Sequence, residues 1–232
     1  IINIDDVLQS SVKILNIDEA MAYYEVRSEY SKQLGQSLAN EEDRNLMQLM
    51  CLAGRTNGSQ ADIKGGSQLS AAGADTDGQT LADMIFNARQ IMKEKDVPYN
   101  KGEWAFFTTP AMYSLLAMTK DIINKDWGGA GVYADGTVLR IAGFDIVETN
   151  HIPTTNITQK TGTNNAYHGD FTNTLGVCVS KGAVGTVRLK DLTVEMTTGD
   201  YNIENQAVLI VAKYLQGHGI LEPRRAVELL KA

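Results

Sequence analysis

Two hydrophobic periods alternate along the chain, and they define its elements. Ile2 and Ile4, then Val12 and Ile14, alternate with polar neighbours, so residues 1 to 15 read as extended segments. A long helix is predicted from Asn16 to Ala53. Asn16 can cap it, Asp18 and Glu19 sit in the first turn where the helix dipole favours anions, and Gly54 stands where a left-handed cap is wanted. Its stripe runs Ile17, Met21, Tyr24, Ser28, Ser31, Gly35, Leu38, Leu46 and Leu49. The middle of the stripe is small, which lets another backbone come close, and Gly35 costs the helix about 1 kcal/mol relative to alanine.

Residues 54 to 78 form a Gly/Ser/Asp/Ala-rich loop, and a second amphipathic helix spans about Leu81 to Lys95 with Leu81, Ile85, Ala88 and Met92 on one side. Trp104 to Thr108 reads as a buried strand, and Pro110 opens a short helix to Met118. A glycine-rich loop covers 127 to 136. Strands at 138 to 141 and 144 to 148 flank a turn at Gly143. Half of the 26 residues from Thr149 to Thr174 are Thr or Asn, the composition of a long exposed loop. Strands return at 175 to 180, 184 to 189 and 192 to 196. Val208 to Tyr214 is a strand or a short buried helix, and Ala226 to Leu230 closes the chain. No internal repeat is present. The fold class is mixed α and β.

Composition narrows the function. The 232 residues carry 21 basic and 28 acidic side chains, a net charge of −7, which disfavours sequence-independent binding of a phosphate backbone. The longest aliphatic run is six residues, Ala207 to Ala212, against the roughly 20 a membrane helix needs. Two cysteines exclude a disulfide framework. Ile1 is not methionine and no signal-peptide pattern follows it. The opening alternation reads as strand already under way, so further residues are expected before Ile1.

The chemical motifs are weak. Asp75-Thr76-Asp77-Gly78 resembles a calcium loop, but the EF-hand spacing puts Gly73 and Met84 where acids are needed, so a polar turn is the better reading. Gly129, Gly131 and Ala134 fit G-x-G-x-x-A without the strand before and helix after that a dinucleotide site requires. His151, His168 and His218 have no ligand partner at helical spacing. Replacing all three by glutamine is expected to be harmless unless His218 packs in the Gly217-His218-Gly219 turn. Cys51 and Cys178 lie in apolar segments and read as buried thiols. No catalytic, cofactor or metal site is expected.

Two longer stretches carry more. Ile17-Asp18-Glu19-Ala20-Met21-Ala22-Tyr23-Tyr24-Glu25-Val26-Arg27-Ser28-Glu29-Tyr30, running on through Gln33-Leu34-Gly35-Gln36-Ser37-Leu38-Ala39, is the first. Ala183-Val184-Gly185-Thr186-Val187-Arg188-Leu189-Lys190-Asp191-Leu192, followed by Ala212-Lys213-Tyr214-Leu215-Gln216-Gly217-His218-Gly219-Ile220-Leu221-Glu222-Pro223, is the second. Both closely resemble the major capsid proteins of podovirus-type tailed phages. Asp96-Val97-Pro98, Phe107 to Tyr113 and Gly143 to Glu148 fall between them in matching order.

The resemblance implies the α+β capsid fold shared by tailed phages and herpesviruses. A peripheral domain with a spine helix and narrow sheet would take residues 1–55, an axial domain 56–180, and a return through peripheral strands 181–232. It implies self-assembly into hexamers and pentamers of an icosahedral head around double-stranded DNA, in the host cytoplasm, with scaffolding and portal proteins as partners. The family's N-terminal arm and extended loop would precede Ile1. Candidate assembly contacts are Arg27, Glu29 and Gly35 on the helix, and Trp127 and Tyr133 in the 124–136 loop, which is the better candidate for the capsomer axis. The 154–170 loop is then expected on the shell's face. A nanocompartment shell of the same fold around a protein cargo is the alternative, and a small-molecule enzyme is the third reading, disfavoured by the missing motifs.

Overall fold

The computed structural model describes residues 1–21, 26–58, 64–119 and 140–232. The chain forms two compact units, one of Ile1–Asn45, Thr161–Asn165 and Thr186–His218, the other of Leu46–Lys160, Ala166–Gly185 and Gly219–Ala232.

The first unit is built on a three-stranded sheet in the order β1 (Leu8–Leu15), β10 (Ala207–Ile220), β9 (Val184–Met196). β1 and β10 are antiparallel, with Leu8 opposite Tyr214 and Leu15 opposite Ala207. Helix α1 (Asn16–Met21) follows β1, and α2 (Val26–Arg55) supplies Leu34 and Leu38 to a core with Ile14, Val208, Ile210 and Ala212. Two alternating strands and one helix face at i, i+4 thus close a small apolar cluster.

β9 and β10 are longer than their apolar runs suggest. β9 continues through Lys190-Asp191, because an edge strand can hold charged side chains in water without leaving the sheet. β10 continues through Gly217-His218-Gly219, so the expected turn there is a strand. The cause is a close crossing: a Cβ at Gly217 would lie 1.9 Å from the Asn3 carbonyl oxygen. Residues 3 to 5 are fastened beside it by the Asp5 carboxylate, which accepts from the backbone N–H groups of Asn164 at 2.6 Å and Asn165 at 3.2 Å.

His218 is buried in this strand, with Nδ1 2.8 Å from the Thr186 hydroxyl and Nε2 3.4 Å from the Gln216 amide nitrogen. Burial lowers its pKa from the ordinary 6.5, outweighing the opposite pull of Glu42 and Asp5. An unfolded chain therefore takes up a proton near 6.5 that the folded one resists. His218 contributes stability above that pH and loses it as pH falls toward its folded value. Urea midpoints should drop from pH 7 to pH 5, and His218→Gln should flatten the slope; an unchanged slope would clear His218 of any role.

The second unit holds a six-stranded mixed sheet in the order β2 (Ser67–Ala71), β11 (Ala226–Lys231), β8 (Thr174–Ser180), β3 (Trp104–Thr108), β5 (Phe144–Glu148), β4 (Arg140–Ile141). β11–β2 and β3–β5 are parallel, and β11–β8, β3–β8 and β4–β5 are antiparallel. Every residue of β8 is buried because both sheet faces are covered. On one face α3 (Gly78–Glu94) and α4 (Pro110–Met118) pack Leu81, Ile85, Met92 and Leu116 against Trp104, Phe106 and Leu229. On the other, Met47, Cys51 and Ala53 of α2 meet Val177, Val179 and Ala226. A two-stranded ribbon of β6 (Asn156–Ile157) and β7 (Gly169–Asp170) lies within the Thr/Asn-rich stretch.

Several expected boundaries move. α3 starts three residues early because Asp77 caps it, its carboxylate accepting from the N–H groups of Gln79 and Thr80, which makes Asp75-Thr76-Asp77-Gly78 a helix entry. Gly54 lies inside the last turn of α2 without a positive φ, contrary to its expected cap role. A Cβ there would come 3.0 Å from Glu228 Cβ and N, so glycine serves the approach of β11. β2 and a short helix α5 (Asp200–Asn205) were not foreseen, since Ser67-Gln68-Leu69-Ser70-Ala71 has one large apolar residue and Asp200-Tyr201-Asn202-Ile203-Glu204-Asn205 consists mostly of weak helix formers.

Candidate functional site

Cys51 and Cys178 are buried and free, and burial raises both thiols above their ordinary pKa, Cys51 further under the Glu228 charge. They are inert packing groups. Among the described residues no group of three His, Cys, Asp or Glu is placed to hold a metal ion. The notable features are surfaces.

β9 is the largest. It lies at the edge of its sheet, and every residue from Thr186 to Met196 is exposed. Val187, Leu189, Leu192, Val194 and Met196 are each 42–63% exposed. Among the described residues, twelve of the seventeen exposed large apolar side chains belong to the first unit, with Ile17, Met21, Tyr30 and Ile203 among them. An edge of this length with uncovered aliphatic side chains is a template for pairing with another chain.

Beside it lies a pocket of about 250 Å³, lined by Gly35, Leu38 and Ala39 of α2 with Arg188, Leu192 and Tyr214. Burial and the nearby Glu42 push the Tyr214 phenol up to about 12, so it stays neutral and donates to the Leu38 carbonyl at 3.4 Å. Arg188 donates to Gln216 at 3.2 Å and to Asp191 at 3.3 Å, with Glu42 at 3.9 Å. A wider groove of about 490 Å³ lies between β1 and α2, lined by Gln9, Ser10, Gln33, Gln36, Ser37 and Asn40 among others. Amides and hydroxyls of this kind suit a peptide backbone better than a reacting substrate.

The five candidate contacts are placed as follows. Arg27 is held in a bidentate pair with Glu19, Nε at 2.6 Å and a terminal nitrogen at 2.7 Å, which raises its pKa. Glu29 is exposed, 3.9 Å from Lys32. Gly35 is half-buried, and a Cβ there would meet no atom within 4 Å. The close backbone approach expected at Gly35 is therefore not made by any of the described residues. Trp127 and Tyr133, with the rest of the 124–136 loop and Gly129, Gly131 and Ala134, lie outside the described residues. The residues that reasoning from sequence missed are those of the β9 edge. Their alternation signals a strand but not whether its apolar side is covered.

The comparisons with known proteins give the family. The major capsid proteins of Enterobacteria phage T3 and Escherichia phage T7 are each 30% identical to the chain, over 97% of its length and 71% of theirs. The capsid structure of the cyanophage P-SCSP1u superposes with a TM-score of 0.93 at 38% identity, covering all of this chain and 73% of that one. The model of the Gp10A-like major capsid proteins matches residues 1–230. The chain thus belongs to the Gp10A-like major capsid protein family, the structural subunits that assemble into tailed-phage heads.

Proposed function

We propose that the chain builds the hexamers and pentamers of an icosahedral head that encloses double-stranded DNA without reading its sequence. The observation that carries this reading is the match of all of this chain to 73% of the P-SCSP1u capsid chain. Residues 1–55 and 181–232 are assigned to the peripheral domain and 56–180 to the axial domain, supported by the narrow sheet with α2 and by the six-stranded sheet with its helices, except that Leu46–Arg55 and β11 group with the six-stranded sheet. The net charge of −7 suits an inner wall that does not adhere to the genome pumped in. Assembly takes place in the host cytoplasm, with scaffolding and portal proteins as partners. The nanocompartment alternative is not favoured, since the 30–38% identical relatives are phage capsid proteins.

Cryo-electron microscopy of particles purified from infected or expressing cells tests the reading. Closed shells of six-fold and five-fold capsomers are expected, filled with DNA when the packaging proteins are present. Shells that enclose protein cargo, or a protein that stays monomeric, would refute it.

A further inference from the structure

We infer that the pocket at Gly35 and the adjoining edge of β9 form one docking face for a second copy of this chain. The inference rests on the shell-building reading and names the surface that reading leaves open.

Glycine in a helix interior loses backbone entropy and is kept where something must come close. Among the described residues nothing comes close at Gly35, since a Cβ there meets no atom within 4 Å. The space is the pocket lined by Leu38, Ala39, Leu192 and Tyr214, which an incoming side chain can fill. Leu192 and Arg188 line this pocket and also belong to β9, so pocket and edge are continuous.

The charges on β9 select the occupant. Its first half carries Arg188 and Lys190, its second Asp191 and Glu195. A second copy laid antiparallel sets the acidic half of each strand against the basic half of the other. A parallel copy in register sets like against like, which is unfavourable between facing strands. The antiparallel arrangement also brings Val187 and Leu189 of one copy against the stretch holding Leu192, Val194 and Met196 of the other. Main-chain hydrogen bonds along the edge supply affinity, and the pocket fixes the position.

Three variants of the full-length protein test this: Gly35→Ala, Gly35→Leu and Leu189→Lys. Each is followed by thermal unfolding of the unassembled subunit and by sedimentation of particles. Gly35→Ala should raise Tm by about 2–4 °C, because helix propensity improves and no contact is lost. Gly35→Leu should keep at least the wild-type Tm while particle yield falls at least about tenfold, since the pocket is already occupied. Leu189→Lys, on a side chain 63% exposed in the subunit, should leave Tm unchanged and lower particle yield similarly. Wild-type yield from either Gly35→Leu or Leu189→Lys overturns the proposal. So does a Tm lowered by Gly35→Leu, which would show that the chain itself needs the glycine. If the wild type forms no particles, the shell-building reading fails and the docking face with it.

Discussion

Glu228→Ala is expected to destabilise the unassembled subunit by about 3–5 kcal/mol, the cost of stripping a buried charge pair of one partner. Glu228 is fully buried on β11. Its carboxylate accepts from Arg55 Nε at 2.7 Å and from a terminal Arg55 nitrogen at 2.6 Å, from the Gln68 amide at 2.9 Å and from the Thr174 hydroxyl at 2.7 Å. Arg55 also donates to the Asp170 carbonyl at 2.6 Å and stacks 4.7 Å from the centre of the Phe171 ring. One carboxylate thus ties the end of α2 to β2, β8 and β11. Every donor around it is matched, the condition under which a buried ion is tolerated. Truncation leaves a guanidinium, an amide and a hydroxyl facing a void. The double variant Arg55→Met/Glu228→Leu should be less destabilised than Glu228→Ala, because it removes both charges and refills the volume. Urea unfolding of the three proteins decides the matter. A loss under 1 kcal/mol for Glu228→Ala, or a double variant weaker than the single one, would mean the pair does not anchor the helix.

That cluster marks where reading the sequence stops. α3, α4, β3, β5 and β8 follow from local patterns: Leu81, Ile85, Ala88 and Met92 at helical spacing, Pro110 at a helix start, Trp104 to Thr108 flanked by breakers. The Glu228 network joins residues up to 173 positions apart, and nothing local in Ala226-Val227-Glu228-Leu229-Leu230 says that the acid points inward. Gly54 and Gly217 were legible as glycines but not as crossing points, because the groups they admit, Glu228 and Asn3, are remote in sequence. Gly35 failed the other way. Its place in a helix stripe predicts a closely approaching backbone from sheet or loop, and the described residues supply none. The β9 edge was legible as strand, while its exposure depends on sheet order, which periodicity does not encode. The family resemblance supplied the fold class that physical pattern alone left at mixed α and β.

Trp104→Ala should cost the second unit about 3–5 kcal/mol, the range for deleting a buried aromatic side chain. Trp104 opens β3, an interior strand bonded to β8 and β5, and none of it is exposed. Its ring lies edge-on to Tyr99 at 5.2 Å and tilted against Phe144 at 5.0 Å, and its indole N–H donates to the Pro98 carbonyl at 3.1 Å. Arg89 in turn sits over Tyr99 at 5.3 Å, so the indole backs a run from α3 to β5. Trp104→Phe should cost less, about 1–3 kcal/mol, since it keeps most of the apolar area and leaves the Pro98 carbonyl without its donor. In that variant Trp127 is the remaining tryptophan, so unfolding is best followed by circular dichroism. Particle yield of the Trp104 variants should fall only as far as the folded fraction falls. The Gly35 variants are expected to part the two quantities, because the Gly35 pocket and the Trp104 cluster share no residue. Trp104→Ala subunits that retain wild-type stability would show that the Tyr99–Trp104–Phe144 stack does not hold the second unit together.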